Sequence, residues 1–148
     1  MVKRRAFVVK EDERQAPLVL AMVLCDHLWR DPASGKVTLV GTFSAVTARE
    51  FPARHPEMAL YAAITRAEGK MPVVIRVIKL QPQATVMAEL SATVEFKNLD
   101  AVAEFGVDLQ DLVFPAPGPY SFQVATGGSV LAERRVMLVQ RSNEEVRT

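Results

Sequence analysis

Phe114-Pro115-Ala116-Pro117-Gly118-Pro119-Tyr120-Ser121-Phe122-Gln123-Val124 is the stretch on which the reading of the fold turns. Pro115, Pro117, Gly118 and Pro119 exclude a helix and set a corner, because proline fixes φ and removes a backbone donor. Behind the corner, Tyr120, Phe122 and Val124 alternate with Ser121 and Gln123, the period of a strand with one face in a core. Tyr120 stands at the mouth of that strand, just after the corner, and shares its face with Phe122 and Val124. Next comes Gly127-Gly128, between apolar segments Tyr120–Ala125 and Val130–Val139. A glycine pair supplies the positive φ of a two-residue primed turn, so these segments form a hairpin.

Upstream, the same punctuation recurs. Over Thr85–Phe96, the residues Val86, Ala88, Leu90, Ala92, Val94 and Phe96 alternate with Thr85, Met87, Glu89, Ser91, Thr93 and Glu95, which predicts a strand buried on one face. Leu18–Trp29 and Met58–Ile64 are apolar on both parities, as expected of strands covered on both faces or bordering a partner. Asp31-Pro32-Ala33-Ser34-Gly35-Lys36 reverses the chain into a strand over Val37–Thr47, and Glu68-Gly69-Lys70 and Gln81-Pro82-Gln83 mark two further reversals. Residues 101–112 admit two readings. Asp100 would cap a helix with Val102, Phe105, Leu109 and Leu112 on one stripe, at a cost of about 1 kcal/mol for Gly106 in its middle. A strand with Ala103, Phe105, Val107 and Leu109 on one face is preferred. The sum is an all-β chain, an antiparallel β-sandwich of about eight strands over residues 16–140. A loosely held arm over 1–15 precedes it and a tail over 141–148 follows it.

The corner at Gly118-Pro119-Tyr120 resembles the tyrosine corner of immunoglobulin-like sandwiches, with Phe122 where a core cysteine stands in disulfide-bearing relatives. No cysteine pair is present, and Trp29 lies earlier than the core tryptophan of antibody domains. More widely, Leu24-Cys25-Asp26, Asp31-Pro32 with Gly35-Lys36, Gly41-Thr42-Phe43, Phe51-Pro52 and Gly118-Pro119-Tyr120 resemble a small bacterial family of unknown function. That resemblance implies a stand-alone β-sandwich and transfers no catalytic residue. Tyr120, Phe122, Gly118, Gly127, Gly128 and Trp29 are the expected structural positions.

Composition bounds the remaining possibilities. The chain has 148 residues, 49% of them hydrophobic, with 18 Lys+Arg against 17 Asp+Glu; a length of this order buries roughly two-thirds of its surface and closes a core alone. A net charge of +1 with 7% aromatics argues against nucleic acid, which calls for excess positive charge and stacking rings. Arg49, Arg54, His55, Arg66 and Lys70 around Phe51-Pro52 therefore read as a solvated rim. Cys25 is the lone cysteine, so no disulfide is needed and a cytoplasmic location is expected. The run Ala16–Cys25 imitates a lipoprotein signal. It follows the acidic Glu11-Asp12-Glu13, has bulky Leu24 before the cysteine, and is half the length of a membrane span, so no membrane association is expected.

Candidate chemistry is sparse. Cys25-Asp26-His27 gathers a nucleophile, a carboxylate and an imidazole, but on a strand Cys25 and His27 share a face and Asp26 takes the other. A packed cysteine beside a partly exposed histidine is the expectation. Cys25, His27 and His55 exhaust the Cys and His residues and form the only zinc set to weigh; nothing in their spacing requires convergence. Ser34-Gly35-Lys36 lacks the context of a phosphate loop, and Asp108 with Asp111 is too small a cluster for calcium. Of Arg134-Arg135, one should face solvent and one an edge. No cofactor, metal or catalytic residue is expected. The function expected is non-enzymatic, through protein–protein contact or self-association, because the two doubly apolar strands exceed what a two-layer sandwich covers. The alternative is a small-molecule or carbohydrate module whose pocket would gather His27, His55, Asp26 or Tyr61.

Overall fold

The structure is a computed structural model that describes residues 16–142; the arm over 1–15 and residues 143–148 of the tail lie outside the described residues. Nine strands follow one another: β1 (Leu18–Arg30), β2 (Val37–Thr42), β3 (Ala45–Ala48), β4 (Ala53–Thr65), β5 (Gly69–Lys79), β6 (Thr85–Phe96), β7 (Ala103–Phe114), β8 (Gly118–Thr126) and β9 (Ser129–Gln140). They form a four-stranded sheet in the order β2-β1-β4-β7 and a five-stranded sheet in the order β3-β9-β8-β5-β6. Among the described residues no helix is long and apolar enough to cross a membrane.

The corner behaves as its residues dictate. The Tyr120 hydroxyl donates to the Ala116 carbonyl at 2.7 Å and accepts from the Ala116 amide at 3.3 Å, so a fully buried phenol is satisfied by the backbone of its own turn. Its ring meets Phe114 edge to face, with centroids 5.0 Å apart. Phe122, two residues on, is buried among Val73, Ile75, Val77, Val136 and Leu138. Strand order β9-β8-β5-β6 facing β1-β4-β7, with this tyrosine opening the second-to-last strand, is the arrangement of an immunoglobulin-like sandwich. Gly127 and Gly128, both at positive φ, close the β8–β9 hairpin between Thr126 and Ser129.

Four details differ from the alternation pattern. Among the described residues there are nine strands, because Val37–Thr47 is two: the chain leaves the four-stranded sheet after Thr42 and re-enters the other sheet as β3, parallel to β9. Residues 103–114 are strand throughout, and Asp111 takes φ +56° opposite Pro56, where a missing N–H interrupts the ladder. Val86 does not share the face of Ala88 and Phe96. The pairing shifts from Val77↔Ala88 to Ile78↔Val86, so Met87 is an extra, bulged residue and Val86 is turned outward with Ile78. Trp29 is no core residue; it is 56% exposed near the end of β1, beyond the part of that strand that faces the other sheet.

Candidate interaction surface

The two doubly apolar strands are neighbours. Met22 and Leu24 of β1 and Met58, Leu60, Ala62 and Ile64 of β4 point into the core between the sheets. Cys25 and Ala59, directly opposite one another, lie on the other face, where a two-layer sandwich meets water. Both are nonetheless buried, Cys25 completely. The covering is the chain itself. Pairing of β1 with β4 stops at Cys25, and Asp26–Arg30 continue with β2 as a two-stranded ribbon. That ribbon lies over the outer face of β4 and β7. Leu28 seats on Gly106 so closely that a Cβ there would stand 2.5 Å from its Cδ1; His27 Nδ1 is 3.5 Å from a Glu57 carboxylate oxygen; and the Arg30 charge acts on Tyr61. The bend is made at Asp26, whose carboxylate fills the space where Gly41 lacks a Cβ. The ribbon thus accounts for part of the surplus: β4 and the Cys25 end of β1 are covered within one chain, while Leu18 and Leu20 at the start of β1 stay exposed.

This arrangement fixes the chemistry of the candidate residues. The Cys25 thiol donates to the His27 carbonyl at 3.3 Å and lies 3.8 Å from the Ala59 carbonyl. Burial, then the charge of Asp26, raises its pKa, so it is a packed thiol and a poor nucleophile. His27 is exposed on the ribbon, while His55 stands opposite Leu112 on the core side, its ring 6.1 Å from Phe43 and its Nδ1 buried without a hydrogen-bond partner among the described residues. Cys25, His27 and His55 are therefore not brought together, and no cluster of three metal-ligating side chains exists among the described residues. Tyr61 donates to Glu104, and burial with that carboxylate pushes its pKa up to about 12. Asp31 caps its own turn, accepting from the Ser34 hydroxyl at 2.6 Å and from the Ser34 and Ala33 amides, which hold its carboxyl below the ordinary range; Ser34-Gly35-Lys36 is a closed turn. Asp111 pairs with Arg54. Arg134 crosses the sandwich edge to the Met22 carbonyl at 3.0 Å, while Arg135, opposite Ser121, lies on the outer face. Among the described residues, the clefts beside Leu90 and Leu112, beside Lys70 and Leu99, and beside Phe43 and Arg134 are lined by none of His27, His55, Asp26 and Tyr61.

The flank between β6 and β7 is different. These strands are the outer edges of the two sheets and are joined by the loop over 97–102. Near that loop Val94 and Phe96 are buried, but toward Thr85 and Phe114 the edges separate. A groove of about 640 Å³ opens there, floored by Ala88, Leu90, Leu109 and Leu112 and rimmed by Glu89, Asp108 and Gln110. Leu90 is 39% exposed on the inward face of β6. Leu99 and Val102 in the loop, Val86 on β6 and Val113 on β7 are exposed as well. Glu89 is held by Arg76 at 2.6 Å. Sequence alternation marks β6 as half buried and cannot show that its inward face outruns the opposing sheet. The signal available was the smallness of that face, Ala88 and Ala92 flanking Leu90.

Residues 20–139 match the model of a family of unknown function, DUF6941, and the chain belongs to that family. No curated protein matches it. Among solved structures it is similar to an immunoglobulin-like protein from Pseudomonas aeruginosa, at 10% identity and TM-score 0.44, over 84% of this chain and 98% of that one. It is also similar to a β-glucosidase from Bifidobacterium adolescentis, at 12% identity and TM-score 0.45, over 83% of this chain and 17% of that one. A third likeness is to an alkylpurine DNA glycosylase from Pseudomonas fluorescens bound to DNA containing an abasic site analogue, at 10% identity and TM-score 0.44, over 82% and 30%. The chain spans about a sixth of the β-glucosidases it resembles.

Proposed function

We propose that this member of a family of unknown function is a non-enzymatic interaction module that receives another protein chain at the open β6–β7 flank. One observation carries the reading: the inward face of β6 extends past the opposing sheet, leaving Leu90 over an apolar-floored groove beside a long strand edge. An uncovered strand edge with side-chain pockets beside it is the recognition mode of strand addition, in which backbone hydrogen bonds give affinity and the pockets give specificity. No set of titratable side chains in the described residues converges as a nucleophile, base and oxyanion donor would, and the thiol of Cys25 is sealed under the ribbon. A reducing cytoplasm suits a chain whose lone cysteine is buried for packing.

The test is position-specific photo-cross-linking in the host cell, with a benzoylphenylalanine at Leu90 and, as control, at Gln123 on the outer face of the five-stranded sheet. A discrete protein adduct at Leu90 and none at Gln123 is expected. Equal or absent adducts at the two positions would overturn the reading.

A further inference from the structure

We infer that the chain received at this flank is a second copy of the same chain, joined edge to edge through β6 with Ser91 on the two-fold axis; this rests on the reading of the flank as an interaction site. Among the described residues four strands lie at sheet edges. Two of them, β2 and β3, have six and four residues. The third, β7, is interrupted at Asp111 and carries Glu104, Asp108 and Asp111 along its length, features that blunt an edge. β6 alone combines length with regularity, pairing with β5 in unbroken register from Phe96 to Ala88, with no proline and with acids only at Glu89 and Glu95.

Such an edge is self-complementary only in certain registers. In an antiparallel pair the residues directly opposite one another share a face, so a two-fold axis must pass through a residue of β6 for its apolar face to continue into the second copy. An axis at Leu90 meets the bulge at Met87 after pairing only 88–92. One at Ala92 sets Glu89 against Glu95 of the second copy, and like charges directly opposite are destabilising. At Thr93 the axis excludes Ala88 and Glu89, the part of β6 that borders the groove. At Ser91 the regular stretch 88–94 is paired in both copies, Glu89 faces Thr93 of the second copy, and Leu90 is covered by Ala92 of the second copy. The two five-stranded sheets become one continuous sheet, and the exposed edge disappears from both copies.

Ser91 is exposed, so replacing it leaves the fold untouched, and wild-type Cys25 is fully buried; an introduced thiol is therefore the reactive one. On the axis, two cysteines directly opposite have Cα atoms about 4.5–5.5 Å apart, within disulfide range. Ser91→Cys is expected to give a disulfide dimer on a non-reducing gel after mild air oxidation, while Thr93→Cys and Gln123→Cys remain monomeric. Cross-linking of Ser91→Cys no faster than Gln123→Cys, or faster cross-linking of Thr93→Cys, would overturn the inference. If the photo-cross-linker at Leu90 captures a different protein while Ser91→Cys stays monomeric, the second copy is excluded and the interaction reading stands. With neither adduct nor dimer, both fall.

Discussion

The outer face of the four-stranded sheet and the β6–β7 flank both present apolar side chains that the two layers do not cover, and the chain treats them in opposite ways. Over the first it folds its own β1–β2 ribbon, seating Leu28 on Gly106 and sealing Cys25 and Ala59. Along the second, Leu90, Leu109 and Leu112 border an open groove. Where the ribbon comes closest, the covered face has small residues, Cys25, Ala59 and Gly106, with Tyr61 beside them opposite Gly106. The open one pairs leucines with a backbone edge. Small residues fit an internal layer, where the chain is tethered and packing distance decides the gain, whereas an edge with larger apolar neighbours fits an external strand.

The comparison breaks most visibly at Gly106. Gly106→Val sets methyl groups into the space occupied by Leu28; overpacking of this kind costs about 2 kcal/mol, or roughly 5 °C in Tm for a chain of this size. Lifting the ribbon also uncovers Cys25, so a thiol reagent that is slow on the native protein should label the variant rapidly. An unchanged Tm with Cys25 still protected means that the ribbon is not seated through this contact. Tyr61 gives a second, pH-dependent test of the covered face. Its folded pKa of about 12 lies above the ordinary 10.0, so the folded state favours the protonated hydroxyl. The resulting stability is fully present below pH 10 and is lost as pH rises toward 12. In urea unfolding at stepped alkaline pH, the wild type should lose stability through that window relative to Tyr61→Phe, and parallel curves would show that burial and the Glu104 contact do not hold the proton. The smallest change in stability belongs to the open flank. Leu90→Ser removes a side chain that is already 39% exposed and should alter the urea midpoint by less than about 0.5 kcal/mol equivalent, while association measured by sedimentation weakens at least tenfold. A loss of 2 kcal/mol or more there would make Leu90 a core residue and erase the contrast.

Much of the fold was legible in local chemistry. Pro115 to Tyr120 specify a corner by steric exclusion and a hydroxyl in need of a partner, and Gly127-Gly128 specify a turn by backbone freedom alone. Alternation likewise favoured a strand over an Asp100-capped helix for residues 101–112, and the strand runs over Ala103–Phe114. What escaped was set by distant parts of the chain. Whether Val37–Thr47 is one strand or two depends on which sheet edge is vacant, and β9, nearly a hundred positions later, supplies the edge for β3. The bulge at Met87 carries no composition of its own and shows only in the pairing with β5. The double apolarity of β1 and β4 was visible, but its covering by Leu28 depends on a contact with Gly106 that no local pattern encodes. Of the candidate site, Cys25, Asp26, His27 and His55 were identifiable by residue type, and the groove was not, because an edge strand and a central strand alternate in the same way.

The parallel pairing of β3 with β9 has a consequence for the order in which the molecule is made. Ala45 lies beside Met137 and Ala48 beside Gln140, so a chain growing from its amino end emerges with β3 unpaired until its last strand is synthesised. Contacts of such long sequence separation close late, after the loop-closure entropy between them has been overcome. The ribbon and the β4–β7 pair can form while synthesis continues, but the five-stranded sheet stays unlatched at β3 until β9 arrives. Loss of the residues beyond Val136 would therefore strip β3 of its partner and leave the crossing between the sheets unfastened.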